Sequence, residues 1–171
     1  MMRDEALALW IGGERIAVPL AHVHSLVEVP HVTPAPRAPA HILGLAAIRS
    51  QALTVIDPYI ALHLPKPDAS QSPDTERQAL VVEYEKCRYA LLIDAVDGVT
   101  NLLGEPSATT TNMLPGWVHA GIGEIETDMG IMLLIDPAAI ISGIPEMARR
   151  KGDLQQSKAA RGRRKKVKGA A

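Results

Sequence analysis

The chain is 171 residues long and 47% hydrophobic, which fits one domain or two small lobes sharing a core and excludes a disordered polypeptide. Its formal net charge of −1 conceals an asymmetry: residues 149–171 hold 10 of the 18 Lys and Arg with Asp153 as their only acid, a net of +9, and the first 148 residues carry −10. Cys87 is the single cysteine, so an intramolecular disulfide is excluded and a reducing compartment suits the chain.

The N-terminal stretch MMRDEALALWIGG has charges at positions 3 to 5 and six apolar residues before Gly12, too few for a signal-peptide core. Next, ALALWIGGERIAVPL reads as a hairpin with its turn at Gly12 to Arg15. Four prolines between positions 30 and 39 rule out helix there and predict an extended connection. Two further strand candidates follow in LGLAAIRS and QALTVIDPYIAL, and residues 65–78 are polar and turn-rich, which predicts a loop. No uninterrupted apolar run approaches the ~18 residues of a membrane helix, because GIMLLIDPAAIISGI is broken by Asp136 and Pro137. A soluble, cytoplasmic chain is expected.

Beyond the loop the pattern repeats. Arg15 to Leu26 aligns without gaps on Arg88 to Val99, placing Ala17 on Ala90, Leu20 on Ile93 and Val23 on Val96. Gly44 to Arg49 then falls on Gly121 to Glu126, and Val55 to Pro58 on Leu134 to Pro137. Three blocks in the same order predict two copies of one small β unit, at roughly 15–62 and 79–144, each with four or five short strands in a barrel or sandwich. A unit this small buries little alone, so the two should share a core, with a groove between them as the natural binding surface.

Few motifs carry chemistry. Asp57 and Asp136 each precede proline at the end of an apolar strand; their symmetry favours a repeated fold device over paired catalytic carboxylates. Asp94 and Asp97 have no acidic counterparts in the first copy and read as a solvated acidic face. His22 and His24 have a spacing that metals can use on a strand, but the other histidines are scattered singly and no metal site is assigned. GIGEIE places Glu126 where a dinucleotide fingerprint needs glycine. With no P-loop or G-x-S-x-G elbow either, no catalytic residue and no cofactor is expected. The basic tail reads as disordered in isolation, and 3% aromatic residues supply no stacking platform for specific nucleic-acid recognition. Arg49 interrupts an apolar run, and its assigned counterpart Glu126 indicates that the fold itself does not require a cation there.

In their order and spacing these segments resemble the CheW-like domain of bacterial chemotaxis coupling proteins. The resemblance covers about Leu7 to Ile144 and rests on LALWIGGERIAVPL, VHSLVEV, HILGLAAIRSQALTVIDP, ALVVEYEKCRYALLIDAVDGV and GIGEIETDMGIMLLIDPAAI. It implies an all-β fold of two intertwined, five-stranded SH3-like barrels around a shared core, with short helices, across residues 1–148, and a separate basic tail at 149–171. It also implies a non-enzymatic adaptor that binds the cytoplasmic tip of a methyl-accepting chemoreceptor and the regulatory domain of the histidine kinase CheA, associated with receptor arrays. Partner contacts are implied at Val23, Gly44, Ile48, Arg49 and Val96. Two positions depart from the family pattern: the usual Asn-Leu-Arg-Gly is here AIRS, with Ser50 in place of glycine, and the glutamate that commonly pairs with the arginine is Ser25, which leaves Arg49 free or paired with another acid such as Glu28. The tail lies outside the shared domain; weak electrostatic contact with anionic surfaces is expected of it. A basic-tailed β protein that binds nucleic acid or anionic membrane is the alternative of a different class.

Because residues 149–171 contain almost no apolar surface, they should contribute little to the core. A chain truncated after Glu146 is expected to keep its melting temperature; a large drop in a thermal melt would show that the tail docks on the acidic body.

Overall fold

A computed structural model describes residues 4–66, 77–108 and 113–144. The basic tail and most of the loop predicted at 65–78 lie outside these residues. The chain runs β1 (Glu5–Ile11), β2 (Glu14–Pro19), a 3-10 turn (Leu20–His22), β3 (Val23–Val29), β4 (Ile42–Ile48), β5 (Gln51–Ile56) and α1 (Pro58–Ala61). It continues through β6 (Arg77–Tyr84), β7 (Cys87–Leu92), β8 (Ala95–Ser107), α2 (Pro115–Ala120), β9 (Gly121–Thr127), β10 (Gly130–Ile135) and α3 (Pro137–Ser142). Apart from the 3-10 turn of the first series and α2 of the second, the second series repeats the first element by element. The first turn is tighter than its sequence suggests: Ile11 pairs with Glu14, so only Gly12 and Gly13 turn, both at positive φ, and Glu14 and Arg15 already belong to β2.

The repeats exchange their hairpins. A closed barrel runs β1-β2-β10-β9-β8, and a second five-stranded sheet runs β3-β6-β7-β5-β4. Each sheet therefore takes its leading hairpin from the other repeat, joined by a short parallel ladder, β2 to β10 in one and β7 to β5 in the other. Neither sheet corresponds to a contiguous stretch of sequence.

Side-chain alternation explains why these hairpins are apolar on both faces. In β1, Ala6 and Ala8 point into the closed barrel, whereas Leu7, Leu9 and Ile11 enter the layer between the barrels. The same division holds in β2, with Ala17 inside and Ile16 and Val18 in the shared layer. In β6, Ala79 and Val81 line the second sheet and Leu80 and Val82 join the shared layer. Small residues inside the narrow barrel and branched ones between barrels account for near-continuous apolar runs where a one-sided strand would alternate with polar residues. All five strands of the second sheet contribute to one interior cluster, so that sheet is also rolled into a barrel. Trp117 of α2, 2% exposed, and Ile140 and Ile141 of α3 cap the shared layer.

Asp57 and Asp136 are helix caps. The Asp57 carboxylate accepts from the Tyr59 N–H (2.9 Å) and that of Asp136 from the Ala138 N–H (3.0 Å), each followed by proline in the first turn. Asp94 and Asp97 are not simply a solvated face. Asp94 Oδ2 accepts from the Tyr59 hydroxyl (2.7 Å) and from the Gly12 N–H (2.8 Å), tying the β1–β2 turn to α1 across the two barrels. Burial, then the bond to Asp94 and its charge, pushes Tyr59 from its ordinary 10 to about 12. Since the folded value is raised, the stability this phenol contributes is present below pH 10 and lost as pH rises through about 12. Asp97 Oδ2 accepts from Arg15 Nε (2.6 Å) and Trp10 Nε1 (3.0 Å), and Arg15 also donates to the Met129 carbonyl (2.9 Å).

The repeat extends into β4 and β9 with a register two residues from the one the sequence suggests. Gly44 pairs with Val55 and Gly123 with Leu134, each beside a bulge, so Gly44 matches Gly123 and Arg49 matches Asp128, not Gly121 and Glu126. A slip of two residues keeps every side chain on its own face, and the two glycines of Gly-Ile-Gly make the registers indistinguishable by pattern. Space decides it: a Cβ at Gly44 would lie 1.9 Å from the Thr33 carbonyl oxygen, and one at Gly123 2.3 Å from that of Ser107.

Thr100 is 1% exposed inside the closed barrel and its hydroxyl has no hydrogen-bond partner among the described residues. The matching residue of β3 is Val27. Thr100→Val should therefore stabilise the fold by about 1 kcal/mol, a rise of roughly 2–4 °C in Tm by calorimetry; a fall would reveal a partner for the hydroxyl.

Candidate functional site

The two barrels differ where the first closes. There β8 pairs with β9 through Leu102 and Thr127, Leu103 and Glu126, and Ser107 and Glu124. The corresponding strands of the second barrel, β3 and β4, form no ladder; a single bridge from Thr33 to Leu45 holds the far end. The registers fix the correspondence. Val96 pairs with Leu9 and Val23 with Val82, each followed by a bulge, which sets Leu26 on Val99, Glu28 on Asn101 and Pro30 on Leu103. Proline has no N–H to donate at the position where β8 continues along β9. The second barrel consequently has an open seam.

A groove of about 420 Å³ lies over this seam, lined by Leu26, Val27 and Glu28 of β3, Gln78 of β6, Arg49, and Val96 of the other barrel. Leu26, Val27 and Val96 give it apolar surface and Glu28, Gln78 and Arg49 polar surface, a mixture expected of a surface that docks a protein segment. Arg49 is not at a strand start. Ile48 pairs with Gln51, so Arg49 and Ser50 form a two-residue turn with φ of 49° and 65°, the left-handed pair that a hairpin of this kind requires. This places the guanidinium at an exposed tip. Arg15 is held by Asp97, and Arg88 faces Glu83 (3.8 Å) and Gln51 (3.0 Å). Arg49, by contrast, has no hydrogen bond or ion pair among the described residues, and Glu28 lines the same groove without pairing with it. In the closed barrel the matching pair is satisfied: Asp128 accepts from the Asn101 backbone N–H (3.3 Å) and side-chain amide.

The other residues implied by the resemblance are dispersed. Val96 lies in the groove with Arg49. Ile48 is buried in the second barrel's core and supports the turn that carries Arg49. Val23 lines a separate depression of about 300 Å³ with His22, His24, Glu83, Glu85 and Lys86. Gly44 is held by backbone approach to Thr33, a structural demand. His22 ends the 3-10 turn whereas His24 belongs to β3, so strand alternation does not relate them. Leu26 and Gln78 carry no signal in the sequence: Leu26, 42% exposed, reads like any inward strand residue until the seam exposes it.

A model of the CheW-like domain family matches residues 5–144. The chain belongs to the CheW-like domain family. Members of this family are scaffold adaptors rather than enzymes. Among solved structures, the scaffolding protein TtCheW from Thermoanaerobacter tengcongensis superposes with a TM-score of 0.63 at 21% identity, covering 79% of this chain and 90% of that one. Direct comparison with curated protein sequences gives no match. Among the described residues no helix is long and apolar enough to cross a membrane.

Ser50 is a non-glycine residue held at φ 65°, a conformation costing roughly 1–2 kcal/mol in an L-residue. Ser50→Gly should relieve this strain and stabilise the protein by about 1 kcal/mol net of the extra freedom glycine has when unfolded. Denaturant titration should show a higher midpoint at unchanged slope; an unchanged midpoint would mean the turn bears no strain.

Proposed function

We propose that this CheW-like protein is a cytoplasmic chemotaxis adaptor that couples a chemoreceptor tip to a CheA-type histidine kinase through protein–protein contacts, without turnover of its own. The observation that carries this reading is the seam groove, where Leu26, Val27 and Val96 lie beside an exposed arginine that is unpaired among the described residues and sits at the tip of a two-residue turn. Arginine in such a setting offers five donors in a planar fork, suited to a carboxylate or to backbone carbonyls of a docked segment. Family membership favours a receptor and a kinase regulatory domain as the occupants, and association with receptor arrays follows from such partners. Val96 lines the groove and Ile48 supports the turn that carries Arg49, while a partner contact at Val23 would involve the separate depression.

Kinase activity in a reconstituted receptor–kinase mixture should depend on adding this protein. Arg49→Ala should change stability by less than about 1 kcal/mol, since the side chain makes no hydrogen bond or ion pair among the described residues, while affinity for receptor or kinase should fall more than about tenfold, as for a central interface arginine. Calorimetric titration and thermal melts on the same variant separate the two effects. Unchanged binding by Arg49→Ala would remove the groove from the reading, and turnover by the purified chain would overturn the adaptor assignment.

A further inference from the structure

Glu28 and Arg49 line one groove, on opposite sides of an open seam, and neither has an ion-pair partner among the described residues. The first barrel shows that the same fold can satisfy these two positions internally, since Asn101 and Asp128 are hydrogen-bonded there. The second barrel leaves a cation and an anion facing outward beside Leu26, Val27 and Val96. Resting on the adaptor reading, we propose that Glu28 is the charge-specificity determinant of this groove, and that its occupant is an amphipathic protein segment carrying an acid for Arg49 and a base for Glu28 beside an apolar ridge.

The argument is one of desolvation and sign. A docked apolar ridge excludes water from the groove, and a carboxylate covered without a partner loses hydration that nothing replaces. A purely acidic segment would satisfy Arg49 but bring like charge against Glu28, on a body that already carries −10 over its first 148 residues. A purely basic segment would satisfy Glu28 and repel Arg49. Among charged segments, one with both signs in matching order satisfies both groups, so Glu28 rejects acidic partners that Arg49 alone would accept. Gln78, directly across from Glu28 on β6, supplies a neutral donor and acceptor that does not change this balance.

The test titrates the wild-type chain, Arg49→Ala, Glu28→Gln and Glu28→Lys calorimetrically with a purified chemoreceptor tip fragment and with a CheA-type regulatory domain, with thermal melts of each variant. Glu28→Gln should weaken binding roughly threefold to fivefold, and Glu28→Lys about tenfold or more with a shallower salt dependence, at unchanged melting temperature. If Glu28→Gln binds as well as wild type while Arg49→Ala loses affinity, the adaptor reading stands and Glu28 has no selective role. Tighter binding by Glu28→Gln would show that Glu28 competes for Arg49, which also overturns the proposal. Failure of the wild-type chain to bind either partner would overturn the adaptor reading and this inference with it.

Discussion

The exchange of hairpins between repeats is the constraint on which the rest of this structure depends. Because β1–β2 and β6–β7 each sit in the barrel of the other repeat, both must be apolar on both faces, and the layer between the barrels becomes the largest core in the molecule. Neither repeat can complete its sheet alone. A barrel of five short strands has little interior, filled in the first case by Ala6, Ala8 and Ala17 with Ile125, Met132 and Leu134; most of the branched apolar volume lies between the barrels. The relative placement of the two barrels is thus set by the same contacts that fold them, and a groove spanning both, with Val96 from one and Arg49 from the other, is held in fixed shape.

The internal repeat supplies its own control. At matching positions one copy shows what the fold requires and the other shows what it tolerates. Asp57 and Asp136, or Gly44 and Gly123, do the same work twice and belong to the fold. At the seam the copies differ at three positions: Pro30 against Leu103, Glu28 against Asn101, Arg49 against Asp128. The first barrel closes and pairs Asn101 with Asp128; the second stays open, with Glu28 and Arg49 lining its groove. A fold under selection for stability alone has no reason to keep that asymmetry, since satisfied pairs are at least as stable as exposed ones.

Electrostatics follow the same division. Arg15 and Asp97 form a short ion pair with Trp10 beside them, and Asp94 binds Tyr59 and the β1–β2 turn. These groups hold strands and turns in place. Two acids that look like free surface charge in the sequence are committed to structure, whereas Arg49, embedded in an apolar run, has no partner among the described residues. Residue type and sequence neighbourhood alone do not reveal the commitment of the two acids.

The sequence by itself determined the class of fold, the existence of two copies, the Asp-Pro caps and the absence of recognisable catalytic motifs, because these rest on local alternation, turn chemistry and spacing. The family resemblance carried the intertwined barrels and the prominence of Arg49. Tertiary structure alone decided which hairpin joins which sheet, since apolar runs buried on two faces carry no label for their partner. It also decided the register of β4 against β9, where a two-residue slip leaves the pattern unchanged and only the space beside Gly44 and Gly123 distinguishes the alternatives. The seam, and with it the meeting of Leu26, Glu28, Gln78, Arg49 and Val96, arises from strands distant in sequence; proximity of that kind is a property of packing, and no local pattern encodes it.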